Sequence, residues 1–151
     1  FNSSNIVISD DSIFFSSKST FFSYNLNTGQ NNWRQKVSSI GVPIIDGKNI
    51  FVVTKNGFFV ILEKDTGKIV SSVNILKILK TKQQATRITG FIMGSGKIYS
   101  VTSNGYLIVS SPISGKVESF KKIGDPVISS PIINNGNLYI LTKNSRILGF
   151  N

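Results

Sequence analysis

The stretch TKNGFFVILEKDTGK at residues 54–68 is followed by TSNGYLIVSSPISGK at residues 102–116, which has the same pattern. Five residues of the first stretch recur in the second with a constant displacement of 48; they are Thr54, Asn56, Gly57, Gly67 and Lys68. A fixed displacement of identical turn residues indicates that one structural unit occurs more than once in the chain. The fold therefore follows from the structure of a single unit.

One unit, at residues 42–74, has the pattern of four short antiparallel strands. We predict these strands at residues 42–45, 49–55, 58–63 and 68–74. The pair Asn56-Gly57 is typical of a type I′ hairpin turn, since both central residues of that turn need a positive φ. Gly67 closes a second turn, because glycine adopts positive φ without a Cβ clash.

The same order of strands and turns occurs four times, at residues 5–37, 42–74, 88–121 and 126–151. Equivalent residues of successive copies are 37, 48 and 40 positions apart, from Ile13 to Ile50, Ile98 and Leu138. A period near 40 residues with four strands in each copy predicts an all-β propeller of about four blades within a single domain, residues 1–151. A β-sandwich explains the pattern less well, because its strands seldom repeat their turn chemistry at a fixed period.

The composition excludes several classes of chemistry. The chain has no cysteine and no histidine, which excludes thiol and imidazole catalysis and zinc sites of the usual ligand types. The net charge is +10, which is compatible with an acidic protein partner, a nucleic acid or an anionic membrane surface. The chain begins at Phe1 without a signal sequence, so we expect a processed or trimmed product.

The segment SYNLNTGQNNW, residues 23–33, resembles the repeat motif of the quinoprotein-like (PQQ-like) β-propellers, roughly A-x-D-x-x-T-G-x-x-x-W. Thr28, Gly29 and Trp33 match the turn and the tryptophan of that motif, while Asn25 replaces its aspartate. The second copy retains Gly67 in the turn but has Ser71 in place of the tryptophan. The resemblance covers essentially the whole chain.

This resemblance implies one of two functions, a quinone-dependent dehydrogenase or a non-catalytic scaffold of the BamB type. A dehydrogenase of this family would need a tryptophan under the quinone, oxygen ligands for Ca²⁺ and often a vicinal cysteine pair. The chain has one tryptophan, two glutamates (Glu63 and Glu118) and no cysteine, and Ca²⁺ needs six to eight converging oxygen ligands. We therefore expect no catalysis, no cofactor and no metal. A degenerate dehydrogenase domain without its active site is an alternative, as is a ligand-binding or sugar-binding propeller.

The fourth copy ends at Asn151, before its final turn and outer strand. The resemblance implies a ring of about eight blades, so we expect this chain to be half of such a ring with an incomplete last blade. An open half-ring would expose unpaired strand edges. Either an N-terminal half has been removed, or two copies associate to complete the ring.

The predicted blades separate the charges between the two faces of the disc. The face with the second-to-third hairpins and the connections between blades, here called the basic face, has one acidic residue, Asp125. Its twelve basic residues are Lys18, Arg34, Lys36, Lys55, Lys77, Lys80, Lys82, Arg87, Lys121, Lys122, Lys143 and Arg146. The opposite face has five lysines against four aspartates. A genome rich in A and T raises the lysine content but does not explain this asymmetry.

An insertion at residues 75–87 lies on the basic face, and it alternates apolar with basic residues. The pattern fits one or two amphipathic helical turns, or a strand end followed by a solvated loop. Exposed apolar and basic side chains there would suit a protein partner. The predicted partner-binding residues are Leu76, Leu79, Lys80 and Arg87 in the insertion, with Lys55 and Lys143 at neighbouring hairpin tips.

The resemblance implies that the partner is the machinery that inserts β-barrels into the bacterial outer membrane. The expected location is then the periplasm of a Gram-negative bacterium, at the outer membrane, as for the lipoproteins of this type. Anionic lipid or lipopolysaccharide would also suit the basic face. Nucleic acid is disfavoured, because the aromatic residues fall in strand centres and no nucleic-acid-binding motif occurs.

Overall fold

The computed structural model describes residues 4–80 and 86–151, and its strands form four antiparallel sheets. Each sheet follows the order of the chain, so neighbouring strands are joined by short turns. The first three sheets have four strands and the last has three, which confirms the predicted all-β propeller with an incomplete last blade. The assignment of residues 1–151 to a single domain stays a prediction.

The blades are named one to four in chain order. Blade one contains β1 (Val7–Ser9), β2 (Ser12–Ser17), β3 (Thr20–Asn25) and β4 (Asn31–Gln35). Blade two contains β5 (Ile44–Asp46), β6 (Asn49–Val53), β7 (Phe58–Glu63) and β8 (Ile69–Asn74). Blade three contains β9 (Ile88–Gly94), β10 (Lys97–Thr102), β11 (Tyr106–Ser110) and β12 (Val117–Lys122). Blade four contains β13 (Ile132–Asn134), β14 (Asn137–Leu141) and β15 (Ile147–Phe150).

The inner strands of blades two and four begin directly after a proline. The sequence suggested a strand at 42–45, whereas β5 begins at Ile44, and in blade four β13 begins at Ile132. Pro43 and Pro131 immediately precede these strands. Proline has no backbone N–H to donate to a neighbouring strand, so each ladder begins only after it.

The hairpin between β6 and β7 is not the predicted type I′ turn. Gly57 has a positive φ of 89°, but Asn56 does not have a positive φ. The Gly57 N–H donates to the Thr54 carbonyl (3.0 Å), and the Thr54 N–H donates to the Phe58 carbonyl (2.9 Å). This is a three-residue loop made of a type I turn and a glycine in the left-handed region.

The hydrophobic core lies between the blades, because both faces of an internal blade are covered. In β6, Ile50 and Val52 pack against blade one, while Phe51 and Val53 pack against blade three. All four side chains are at most 2% exposed. Strands buried on both sides lack the polar–apolar alternation of a half-buried sheet, which explains the continuous apolar run of this segment.

Trp33 connects blade one to blade two. Its indole Nε1–H donates to the Lys64 carbonyl (2.9 Å), and the Gln35 amide donates to the Gly67 carbonyl (3.1 Å). Gly67 has a φ of +70°, and a Cβ added there would lie well inside the van der Waals distance of the Trp33 ring. The tryptophan of one repeat therefore occupies the space that the turn glycine of the next repeat leaves open.

The corresponding contact between blades two and three is smaller. Ser71 stands where the repeat motif has tryptophan, and its hydroxyl donates to the Ser114 carbonyl (3.3 Å). A Cβ added at Gly115 would meet the Ser71 hydroxyl first. The glycine is therefore packed against the preceding blade at both junctions, although only the first has an aromatic ring.

The part of the insertion that the structure describes begins with a short 3₁₀ helix, Ile75–Leu79. The Asn74 side chain caps it by accepting a hydrogen bond from the Leu76 N–H (3.1 Å), and Lys80 ends it with a φ of 49°. Ile75, Leu76 and Leu79 are buried. The helical alternative is thus correct for residues 75–79, but the apolar side chains point into the core; residues 81–85 lie outside the described part.

We expect Gly67→Ala to lower the free energy of unfolding by about 2–4 kcal/mol. Alanine is strained in the left-handed conformation by about 1 kcal/mol relative to glycine. The added methyl group would also overpack against Trp33, which costs about 1–3 kcal/mol. Urea unfolding of both proteins measures the difference. Gly47→Ala is the matched control, since Gly47 also has a positive φ but nothing lies within 4 Å of its added Cβ. Equal losses in the two variants would contradict a tight Trp33 contact.

We expect Leu76→Ala to cost about 2–5 kcal/mol of unfolding free energy, because a buried leucine leaves a cavity. Leu76 is 3% exposed, whereas Ile78 in the same helix is 39% exposed. Ile78→Ala should therefore cost less than about 1 kcal/mol. Thermal or urea unfolding compares the two variants, and a small effect of Leu76→Ala would show that this side chain is not a core residue.

Candidate interaction surface

The four charged residues among the predicted partner-binding residues lie exposed on the basic face. Lys55 is in the hairpin between β6 and β7, and Lys143 is in the hairpin between β14 and β15. Lys80 ends the 3₁₀ helix, and Arg87 immediately precedes β9. In each antiparallel blade, the hairpin between the second and third strands lies at the same end of the sheet as the point where the chain leaves the outer strand. These hairpins and connections therefore lie on the same side of the blades.

The two leucines of the predicted set are placed differently. Leu76 and Leu79 are buried in the core that blades two and three share, with Phe59 and Ile88. In this structure they hold the insertion against the blades and are not exposed anchors. The sequence pattern of alternating apolar and basic residues does not distinguish an arm exposed to solvent from a helix packed on a sheet. Contact of the six residues with a partner stays a prediction.

Sequence reasoning did not identify the contact of the insertion with the hairpin glycine Gly57. The Ile75 N–H donates to the Gly57 carbonyl (2.8 Å), and the Leu76 side chain occupies the space where a Gly57 Cβ would lie. Gly105 has the same role in blade three, where the Ile123 N–H donates to its carbonyl (2.7 Å). Gly57 and Gly105, which are equivalent in the two copies, therefore also indicate where the chain that leaves each blade crosses that blade's hairpin.

The two faces differ in how their charges are paired. Among the described residues, three ion pairs are present, and only Arg146–Asp125 (3.0 Å) is on the basic face. The pairs Lys64–Asp10 and Lys97–Glu118, both 2.6 Å, are on the opposite side, at the turns that join β1 to β2, β7 to β8 and β9 to β10. The opposite face thus compensates much of its own charge, whereas the basic face presents many cations to solvent.

The Lys64–Asp10 pair connects the turns of blades one and two. The hydrogen bond and the positive charge of Lys64 lower the pKa of the Asp10 carboxyl below its ordinary value. In return, the hydrogen bond to Asp10 raises the pKa of the Lys64 ammonium. Both groups therefore remain charged at neutral pH, which keeps this part of the opposite face neutral.

Three residues assigned to the basic face lie on the outer rim instead. Arg34 is in β4 opposite Phe22, and Lys121 and Lys122 are in β12. The Lys121 ammonium lies 5.1 Å from the centre of the Phe150 ring, a distance at which a cation attracts an aromatic face. The basic surface thus extends from the hairpin tips around the edge of the blades.

A surface pocket of about 410 Å³ opens between blades one and two, and sequence reasoning did not identify it. Its residues are Ser4, Ser16, Lys18, Ser38, Ser39, Ile40 and Lys55. The Ser39 hydroxyl is buried without a hydrogen-bond partner. The lining contains hydroxyl and ammonium groups and no carboxylate, so the pocket suits a polar group with negative charge.

The glutamate side chains that a calcium site would need interact with nearby residues instead. The Glu63 carboxylate accepts a hydrogen bond from the Thr66 hydroxyl, and Glu118 pairs with Lys97. Within residues 4–80 and 86–151, no group of three or more acidic residues converges on one point. In the same ranges, no helix is long and apolar enough to cross a membrane.

The family model described as outer membrane protein assembly factor BamB matches residues 2–73 of this chain. The outer membrane protein assembly factor BamB of Legionella pneumophila (strain Paris) is 32% identical over 108 residues. That alignment covers 68% of this chain and 26% of the relative. The chain therefore spans about a quarter of the length of the curated relative it matches.

Two solved structures have the same arrangement of blades. BamB from Moraxella catarrhalis superposes with a TM-score of 0.80 at 12% identity, covering 97% of this chain and 42% of the other. The quinohemoprotein alcohol dehydrogenase of Comamonas testosteroni gives a TM-score of 0.77 at 13% identity, covering 92% of this chain and 28% of the other. At these identities the superpositions show the fold alone. The sequence matches, the repeated turn motif and the four blades together show that the chain belongs to the PQQ-like β-propeller repeat family, of the BamB type.

Proposed function

We propose that the chain is a non-catalytic protein–protein interaction scaffold in the assembly of outer-membrane β-barrel proteins. The observation that carries this proposal is membership of the BamB-type repeat family, whose sequence matches are both to an outer membrane protein assembly factor. The proposed location is accordingly the periplasm of a Gram-negative bacterium, at the outer membrane. The partner is an acidic surface of the β-barrel assembly machinery.

The basic face provides a physical mechanism for such binding. Its hairpins are short loops fixed by the blades, so little conformational entropy is lost when they meet a partner. Lys55 and Lys143 occupy equivalent hairpins, in blades two and four. Charge complementarity would steer the partner and fix its orientation, and a few side chains would supply most of the affinity.

The absence of catalysis is part of the same proposal. The dehydrogenase structure shares the fold. In this chain, however, Glu63 and Glu118 lie on separate blades, and each interacts with a residue of its own blade. Trp33, the only tryptophan in the sequence, lies between two blades with its indole Nε1–H bonded to Lys64. These residues do not form a surface that would hold a quinone and a calcium ion together.

The pocket between blades one and two supports a second candidate function, the binding of a small anion. Lys18 and Lys55 would supply positive charge, and the hydroxyl group of Ser38 would supply a hydrogen-bonding group. Titration with inorganic phosphate, followed by NMR shifts of Ser38 and Ser39, tests this alternative. Shifts that saturate, and that Lys55→Met removes, would support it; an unchanged spectrum would exclude phosphate binding there.

We expect charge reversal on the basic face to weaken binding to the assembly machinery by at least about tenfold. The test variant combines Lys18→Glu, Lys55→Glu and Lys143→Glu, which would replace three attractions by repulsions together worth more than about 1.4 kcal/mol. The probe is purified β-barrel assembly complex without its own BamB, immobilised for a surface binding assay.

The matched control changes the same charge on the opposite face through Lys48→Glu, Lys68→Glu and Lys116→Glu. These lysines are also exposed and lie in turns. The control should bind within about threefold of the unmodified chain, since surface charges beyond a Debye length are largely screened. Equal losses in both variants would contradict the basic face as the docking surface, and no binding by the unmodified chain would contradict the proposed function.

A further inference from the structure

The pair Asn-Gly occurs three times in the chain, at residues 56–57, 104–105 and 135–136. Asparagine followed by glycine is chemically labile, because the glycine nitrogen attacks the asparagine side-chain amide with no side chain of its own in the way. The attack forms a five-membered succinimide ring and releases ammonia. Since the three pairs are alike in sequence, the fold decides which of them reacts.

The pair at residues 135–136 forms the turn between β13 and β14. Asn135 and Gly136 have φ values of 50° and 77°, as in a type I′ turn, and the Asn134–Asn137 pair flanks them. The Asn137 side chain donates to the Asn135 backbone carbonyl (3.3 Å). Within the described residues, neither the Asn135 side chain nor the Gly136 N–H makes a hydrogen bond. Both reacting groups are therefore free.

This turn belongs to a type that a following blade leaves open. The equivalent turns of blades two and three are Gly47-Lys48 and Ser95-Gly96, and each of these blades is followed by another. All four of these residues are nevertheless exposed, and an added Cβ at either glycine would meet nothing within 4 Å. Gly136 is equally open. The accessibility of residues 135–136 thus follows from the turn itself and not from the place of blade four at the end of the sequence.

The pair at residues 56–57 is held in place by hydrogen bonds. The Thr54 hydroxyl donates to the Asn56 side-chain oxygen, and the Gly57 N–H donates to the Thr54 carbonyl (3.0 Å). Leu76 occupies the space beside Gly57. Attack by the Gly57 nitrogen would have to break both bonds and move the turn against a buried side chain.

The pair at residues 104–105 is held more firmly still. The Asn104 side-chain oxygen accepts from the Thr102 hydroxyl (2.7 Å), and its amide donates to the hydroxyl of Thr86 (2.9 Å), a buried residue. The Gly105 N–H donates to the Thr102 carbonyl (3.1 Å). Both ends of the Asn104 amide and the attacking nitrogen are therefore occupied.

We propose that Asn135 is the site at which this protein deamidates spontaneously, with Asn56 slower and Asn104 slowest. The Gly136 nitrogen bonds to the side-chain carbonyl carbon of Asn135, the bond from that carbon to the amide nitrogen breaks, and the proton of the Gly136 N–H passes through solvent to the departing ammonia. Water then opens the succinimide at either carbonyl and leaves aspartate or isoaspartate. The inference does not depend on the proposed function.

The two products affect the hairpin differently. Asp10 occupies the equivalent turn position in blade one, between Ser9 and Ser12, with a φ of 51°. Aspartate at position 135 therefore fits the turn. Isoaspartate adds a carbon atom to the backbone, and because the length of the loop fixes the register of a hairpin, we expect the Asn134–Asn137 pair to open. Either product adds a negative charge to the opposite face and leaves the basic face unchanged.

The test follows the 151-residue chain in neutral buffer, with peptide mass spectrometry measuring the fraction of each asparagine converted over time. We expect Asn135 to react at least about tenfold faster than Asn104, a ratio that corresponds to about 1.4 kcal/mol and is within what the hydrogen bonds at residues 104–105 supply. A rate at Asn135 no greater than that at Asn56 or Asn104 would overturn the proposal. So would a folded chain in which none of the three reacts.

The unfolded chain is the control for sequence context. In concentrated urea the three Asn-Gly pairs should react at similar rates, because the hydrogen bonds that distinguish them are lost. A ranking that persisted in urea would contradict the proposal, since the fold would then not be its cause.

Two variants test the assignment in the folded chain. Asn135→Ser copies Ser95, which has a φ of 48° in the equivalent turn of blade three, and should remove most of the isoaspartate formed by the protein. Thr86→Val removes the hydroxyl that holds the Asn104 amide and should raise the rate at Asn104 by at least about threefold. Circular dichroism checks that both variants keep their strands. Undiminished isoaspartate in Asn135→Ser, or an unchanged rate at Asn104 in Thr86→Val, would overturn the assignment.

Discussion

The structure depends on the contact between consecutive blades, and the clearest example is the Trp33 ring against the Gly67 turn. The ring fits only because Gly67 has no Cβ, and the indole N–H and the Gln35 amide then bond to backbone carbonyls of the next blade. This contact fixes how far one blade is rotated from the next. The curvature of the whole chain, and hence the orientation of every hairpin, follows from repeating such junctions.

The same constraint explains why this family can combine a uniform architecture with different surfaces. The core lies between blades, in side chains such as Ile50 and Phe51 on the two faces of one strand, so hairpin tips contribute little to it. Lysines can therefore accumulate at the tips without a packing cost. The assembly-factor and dehydrogenase structures superpose on this chain at only 12% and 13% identity, so very different sequences adopt the same arrangement of blades.

Asymmetry between the two faces of the disc links the fold to the proposed scaffold function. On the opposite face, Lys64 is neutralised by Asp10 of a neighbouring turn and Lys97 by Glu118 of β12. On the basic face, Asp125 pairs with Arg146 and leaves Lys55 and Lys143 for other contacts.

The sequence alone determined the number of blades, their strand order, the incomplete fourth blade and the sidedness of charge, because turn glycines and strand periodicity are local properties. Only the tertiary structure decided that Leu76 and Leu79 are buried, since an alternation of apolar and basic residues has the same spacing whether the apolar side chains face solvent or the core. It also decided the turn at Asn56-Gly57, where the φ of Asn56 follows from the three-residue loop. The pocket at Lys18, Lys55 and Ser39 lies between blades, and residues that meet only through blade packing leave no pattern in the sequence.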